Sequence, residues 1–431
     1  MPMLDRRQVL RLMALTAGCA VAPASLAFAG QALRLNRDDD AFLDDLIRQG
    51  CLYFYEQASP NTGQVLDRAR NNLKGARDPR RLASIAATGF GLTALCIADS
   101  HGYLPHEEVM ERVRTALDWH LNRMPQLRGF FYHFTDVETG VRWDRVELSS
   151  IDTAILLCGV LTARAYFSDA KIQSLAQQIY ERVDWPWMFN GGPAFSMGWK
   201  PESGFLSGRW NHYCELMMIY LLAIGSPTHP VSPDTWKAFS RPRIQYAGFN
   251  YISGNDPIFT HQYSHAWFDF RHKRDGYTNY FQNSVTATRA HRAFCLSMPK
   301  WYRDDLWGIT ASDSMRGYTV WGGPPSRGMI DGTVVPSATA GSLPFLPTEC
   351  LRVQRNLRAR FGNKAWGRYG FVDAFNPSAN WYNPDVLGID LGISVLMAEN
   401  LRTGMVWQTF MRNPEADRAM QLAGFQPDNL A

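Results

Sequence analysis

The chain has 431 residues, 46% hydrophobic and 19% charged, enough apolar material for a sizeable core, which excludes a disordered or fibrous protein. Its formal charge of +4 comes from 44 basic and 40 acidic residues with no long run of either sign, which argues against a nucleic-acid partner. Aromatic residues make up 13%, and 14 Trp exceed what a core needs because indole rings are seldom completely buried, so some rings are expected to face a ligand.

Residues 1–29 read as a removable export signal: Arg6-Arg7, an apolar stretch from Leu12 to Leu26, then Ala27-Phe28-Ala29 as a small-residue cleavage pattern. The adjacent arginines resemble a twin-arginine signal, which exports folded proteins, and predict a periplasmic or secreted product. A stable membrane anchor is not expected, because Pro23 interrupts the apolar stretch and its length is short for a span. A lipoprotein signal at Ala17-Gly18-Cys19 is the alternative, although Thr16 stands where such signals favour Leu. Cleavage removes three Arg and one Asp, leaving 41 basic and 39 acidic residues and a charge of about +2. Six cysteines remain, Cys51, Cys96, Cys158, Cys214, Cys295 and Cys350, none in a C-x-x-C pair. They read as buried free thiols rather than metal ligands or disulfides, since folded export starts from a reducing cytoplasm.

From Asp39 onward apolar residues recur at helical spacing. Phe42, Leu43, Leu46, Ile47, Leu52, Tyr53 and Tyr55 mark one helical face. Further helices are predicted over 84–98, 107–121, 151–167, 170–183, 213–224, 257–270, 280–297, 346–361 and 391–403. Three runs, Ala83 to Ala98, Ile151 to Leu161 and Leu216 to Ile224, are apolar around the whole helix and therefore buried on all sides. No alternating strand series and no phosphate-binding glycine motif intervenes. Inner and outer helix classes predict an all-α fold, a single (α/α)6 barrel over residues 30–431. Long aromatic loops, 125–150, 184–212, 301–347 and 372–390, gather at its functional end.

Those loops mix Trp and Tyr with Asp, Glu, Asn and Arg, as a sugar cleft requires: rings for the apolar faces, polar groups for the hydroxyl edges. Trp143 precedes Asp144 and Glu147; Trp199, Trp210 and Asn211 precede Glu215; Trp381 and Tyr382 precede Asp390. Glycosidic cleavage needs an acid for the leaving oxygen and a carboxylate for water or the anomeric carbon. Glu215, placed in the first turn of a helix too apolar to solvate it, fits a buried acid with raised proton affinity. Asp144, Glu147 and Asp390 could also serve as ordinary helix-start residues. Asp152, inside an apolar helix, is as readily a structural hydrogen-bonding group and is not counted as catalytic. His261, His265 and His272 have roughly helical spacing but read as hydrogen-bonded side chains, and neither a metal nor an organic cofactor is expected.

At these residues the chain resembles the bacterial glucoamylase-like domain family, which includes glycoside hydrolase family 144 endo-β-1,2-glucanases and related exo-acting sophorohydrolases. The matching stretches are Gly63 to Arg68, Ala86 to Phe90, Val146 to Ala154, Tyr213 to Pro227, Trp307 to Asp313, Gly332 to Pro336 and Gly388 to Gly392. The resemblance implies an (α/α)6 barrel cleaving β-1,2-linked glucose chains with net inversion and no cofactor. It maps Glu215 onto the proposed general acid. The base position is left between Asp390, as in a structurally related β-1,2-glucanase family, and the pair Asp144 and Glu147. Arg68 and Asp313 lie in matching stretches and join Trp143, Trp199, Trp210, Asn211, Trp381 and Tyr382 as candidate substrate-binding residues. The expected partner is a β-glucan polymer or oligomer, and the chain is expected to act as a monomer. A transglycosylase using the same site, or an inactive β-glucan-binding protein, is the alternative.

Overall fold

The computed structural model describes residues 35–254, 257–324 and 329–428. The export signal read over residues 1–29 lies outside them. Residues 38–431 form one compact unit, and the described part is mostly helical. Among the described residues are fourteen α-helices. They are α1 (Arg37–Glu56), α2 (Ile85–Ser100), α3 (His106–Asn122), α4 (Ser150–Tyr166), α5 (Ala170–Glu181), α6 (Trp185–Phe189) and α7 (Met217–Gly225). After these come α8 (Tyr263–Trp267), α9 (Tyr280–Leu296), α10 (Pro336–Ala340), α11 (Pro347–Ala365), α12 (Gly388–Arg402), α13 (Met405–Phe410) and α14 (Pro414–Leu422).

Two helix classes are present, as the periodicity requires. Every residue of α7 is buried, as are Ile85 to Ala98 in α2 and Asp152 to Arg164 in α4. Each buried Leu, Ile or Phe of this set contributes about 1.5–3 kcal/mol relative to exposure. By contrast α3 and α5 bury one stripe each, Val109, Val113, Ala116 and Leu117 in the first, Ile172, Leu175, Ala176 and Ile179 in the second. The inner helices touch in the order α10, α12, α2, α4, α7. Outside them α11 lies on α10, α3 on α2, α5 on α4 and α14 on α7.

Helices α2 and α4 approach until backbone meets backbone. A Cβ at Gly159 would stand 2.1 Å from the Gly89 carbonyl oxygen, so both helices need glycine at the crossing. All six cysteines of the described chain are buried free thiols, as their apolar neighbours indicated.

The all-α expectation needs correction at the rim, where short antiparallel strands pair. Arg68–Arg70 pairs with Asp385–Leu387, Leu82–Ser84 with Phe134–Asp136, and Leu148–Ser149 with Gly198–Lys200. Strands of two or three residues are too short to carry an alternating pattern, which is why periodicity does not reveal them. Three of them run straight into buried helices: Leu82–Ser84 into α2, Leu148–Ser149 into α4, Asp385–Leu387 into α12. Ser84 and Ser149 cap their helices by accepting from the Ala87 and Asp152 amides.

Two helix boundaries also differ. The helix expected over 257–270 is a 3-10 turn at Ile258–His261 followed by the five residues of α8. The helix expected from Tyr213 begins at Met217, so Glu215 lies in the turn before α7 rather than in its first turn. No helix of the described residues is long and apolar enough to cross a membrane.

Candidate active site

Tyr263, the first residue of α8, is the reference point of the site. Its ring packs on Phe90 of α2, with centroids 5.5 Å apart, among the inner helices. Burial holds its hydroxyl un-ionised, and the nearby charges of Asp390 and then, beyond Tyr318, Glu215 and Asp152 reinforce this. Acids from three distant parts of the chain therefore converge on one phenol. Glu215 is half-buried, and its backbone carbonyl accepts a 2.6 Å hydrogen bond from the Ser264 hydroxyl, tying the turn before α7 to α8.

On one side of Tyr263 stands a cluster of four aspartates. Asp390, the third residue of α12, is buried, and its proton affinity is raised to about 6. Burial is the main cause and the charges of Asp313 and Asp67 add to it, while the neighbouring Asp373 and Ser337 side chains work in the opposite direction. Asp373 is shifted well upward by burial and by Asp390. Its Oδ2 accepts a 2.7 Å hydrogen bond from the Asp313 amide. Arg68 bonds Asp67 at 2.9 Å and Asp313 at 2.7 Å, and the Asn383 amide donates to Asp313 at 3.0 Å. Tyr318 lies opposite Asp313 in the hairpin formed by Ser312–Ser314 and Gly317–Thr319. Although 53% of the residue is exposed, its hydroxyl is held protonated by desolvation and by the charges of Asp390, Asp373, Asp67 and Asp313.

On the other side the acids are bridged by a cation. His133 Nδ1 lies 3.1 Å from Glu147, and its Nε2 lies 3.6 Å from Asp152. Burial would lower the imidazole's proton affinity, but Asp152 and Glu147 outweigh it and raise it to about 9. The hydrogen bond from His133 in turn holds Glu147 below the ordinary glutamate range, against its own burial. Asp152 is fixed by the Ser149 hydroxyl at 2.5 Å. Gly198 lets the paired strand approach this segment closely, because a Cβ there would stand 2.5 Å from the Leu148 carbonyl oxygen and 2.7 Å from Glu147 Cγ.

The sequence-derived candidates separate accordingly. Glu215, Asp390, Glu147, Arg68 and Asp313 all belong to this connected set. Asp144 is exposed in the turn before Glu147, at φ 47°, a left-handed conformation that Asp tolerates better than most residues. Trp143 is 40% exposed beside it. Trp199 pairs with Leu148, next to Glu147, and packs its ring near Trp187. Trp210 is buried, and its indole N–H donates to the Ser150 hydroxyl at 2.8 Å, so it anchors the start of α4, while Asn211 beside it is exposed. Tyr382 stacks on Phe375 at 5.4 Å with Lys364 on it, and Trp381 pairs with Asn376.

Sequence reasoning missed Asp373, Asp67, Tyr263, Tyr318 and His133, and set Asp152 aside. Asp373 carried a signal: it is a lone acid in the apolar run Phe371-Val372-Asp373-Ala374-Phe375. The expected hydrogen bonds of the histidines are present at His261, with Tyr213, and at His265, with Ser284. Among the described residues no group of three or more His, Cys, Asp or Glu is arranged to hold a metal ion.

The fold has counterparts among solved proteins. Residues 207–414 match the family model described as "Putative glucoamylase". The exo β-1,2-glucooligosaccharide sophorohydrolase (non-reducing end) of Parabacteroides distasonis is 28% identical over 428 residues, an alignment covering 89% of this chain. The chain spans 58% of that relative's length. The endo-β-1,2-glucanase of Chitinophaga pinensis, solved with sophorotriose and glucose, superposes with a TM-score of 0.80 at 26% identity, over 90% of this chain and 98% of that one. A glucoamylase-like protein of Bacteroides uniformis gives 0.82 at 26% identity, over 92% and 100% of the two chains.

Proposed function

We propose that the chain is a glycoside hydrolase acting on β-1,2-linked glucose chains, with residues 30–431 as its catalytic domain and the inner and outer helices closing as an (α/α)6 barrel. The observation that carries the reading is the 2.6 Å hydrogen bond from Ser264, next to Tyr263, that ties the Glu215 turn to α8, with Asp390 at the start of α12 also acting on Tyr263. The likeness to the β-1,2-glucan-degrading enzymes of Parabacteroides and Chitinophaga supports the substrate class. Glu215 protonates the leaving glycosidic oxygen. Asp390, with its affinity near 6, is ionised at neutral pH and still basic enough to take a proton from the attacking water, and attack from the opposite face inverts the anomeric centre. Glu147, kept charged by His133, together with Arg68 and Asp313, accepts from and donates to sugar hydroxyls. Trp143 and Trp199 offer ring faces beside them.

The test is incubation of the purified protein with linear β-1,2-glucan and resolution of the products. A ladder of oligomers indicates endo action, one small product exo action, and products longer than the starting oligomers indicate glycosyl transfer instead of hydrolysis. Glu215→Gln is expected to abolish turnover with an unchanged circular dichroism spectrum, and wild-type-like turnover in that variant refutes the assignment. The arginine pair at the start of the chain supports an exported enzyme. Replacing Arg6 and Arg7 by Lys should then hold the product in the cytoplasm.

A further inference from the structure

Asp390 also lines a small cavity of about 20 Å³, room for about one water. Its walls are largely apolar: Leu46 from α1, Pro336 and Ala340 from α10, Phe371, Val386 and Leu391. Into this lining three polar groups are set, Asp373, Asp390 and Ser337. Asp373 Oδ1, Asp390 Oδ2 and Ser337 Oγ are buried, and none has a hydrogen-bond partner of ordinary geometry among the protein groups. Two carboxylates facing one small apolar-walled space are unfavourable as a pair of charges, because the walls offer little to offset the desolvation of the second.

The cations nearby are committed elsewhere. Arg68 directs its guanidinium to Asp67 and Asp313. The remaining titratable groups that face the pair are acids and phenols: Asp67 and Asp313, Tyr318 from the hairpin, and Tyr263 from α8. From α1 and α10 only uncharged side chains line the cavity. The two aspartates are not equivalent. Both are equally buried, but Asp373 Oδ2 accepts from the Asp313 amide, whereas Asp390 also acts on the site phenol Tyr263.

We propose that Asp373 is a positioning residue for Asp390: it remains a neutral carboxylic acid and donates its proton as a hydrogen bond to the Asp390 carboxylate. The pair then works with a single negative charge, located on the member that faces the substrate. This rests on the reading of Asp390 as the base. Asp373 touches neither sugar nor water in turnover; its O–H fixes the orientation of the Asp390 carboxylate and sets the pH at which Asp390 becomes a base.

An amide is the uncharged isostere of a protonated carboxyl, with one oxygen to accept from the Asp313 amide and an N–H to donate to Asp390. The variants are therefore Asp373→Asn and Asp373→Ala, measured as pH profiles of kcat/KM on linear β-1,2-glucan. Asp373→Asn should keep the wild-type acid limb and lose no more than about threefold in rate, whereas Asp373→Ala, lacking the donor, should move that limb upward by about one pH unit. A purely structural role would lower both variants without moving the limb, and that result overturns the proposal, as does an Asn variant as impaired as the Ala variant.

Should Asp373→Ala not fold, infrared difference spectra of wild type against Asp373→Asn decide the matter without turnover. The carbonyl band of a neutral carboxylic acid should be present in the wild type at pH 7 and missing from the variant. Its absence from the wild type overturns the proposal. If the protein hydrolyses no β-1,2-glucan at all, the reading of function fails, and the infrared result still judges the pair.

Discussion

Two carboxylate groups flank Tyr263, each at the start of a buried helix entered from a short paired strand, and their electrostatics are opposite. At α12, Asp390 and Asp373 face one another and an apolar cavity, so proton affinity rises. At α4, Glu147 and Asp152 face the two nitrogens of His133, so Glu147 stays charged and the imidazole carries a proton. Similar backbone frames thus give one acid poised to exchange protons near neutrality and another held as a fixed anion. The difference lies in what faces the carboxylates, a small apolar-walled cavity in one case and a cation in the other.

The largest expected effect tests which group does chemistry. Asp390→Asn should lower kcat by about 10²–10⁴-fold. Asp152→Asn should act mainly on His133, lowering its proton affinity, with a far smaller loss of rate. Equal losses in kcat would erase the distinction between the two groups.

Stability should move the other way. The affinity of Asp390 is raised in the folded state, from 3.8 to about 6, so its stabilising contribution is complete below 3.8 and lost as pH rises through 6. Asp390→Asn, which never ionises, should match the wild type at pH 4 and exceed it by about 1–3 kcal/mol at pH 8, read by chemical denaturation. His133 gives a slope of the same sign in a higher window. Its affinity is raised from 6.5 to about 9, so its contribution is present below 6.5 and lost as pH rises through 9. Wild-type Tm should fall across that window, and His133→Gln should flatten the profile. The smallest effect on rate is expected from Gly198→Ala, whose Cβ would stand 2.5 Å from the Leu148 carbonyl oxygen and 2.7 Å from Glu147 Cγ. It should cost about 1–3 kcal/mol in melts at pH 6, and because the nearest contact is backbone the His133→Gln background should leave that penalty in place.

How much of this was legible in the sequence depends on the range of the interactions. The runs from Ala83 to Ala98 and Ile151 to Leu161 were readable as buried helices because a helix apolar on every side has no stable place at a surface. Glu215 and Asp390 were readable as candidates because each is an acid beside an apolar run. Their meeting at Tyr263, which comes from a different helix, was not, since no local pattern encodes which loops face each other. Trp210 shows the same limit from the other side: its place in an aromatic loop suggested a sugar platform, yet its ring is buried and its N–H is bonded to Ser150. His133 and Asp373 act through partners 14 and 17 residues away, across turns of irregular length, where periodicity carries no information.

The six buried thiols offer a use of their own. They stand in α1, α2, α4, the turn before α7, α9 and α11, each sealed from solvent and none cross-linked. A thiol reagent can reach each only when the helix around it opens, so the rate at which a given cysteine is alkylated clocks the opening of its own sector. Mass spectrometry of partially labelled protein would then rank the helices by how readily they part, without any introduced probe.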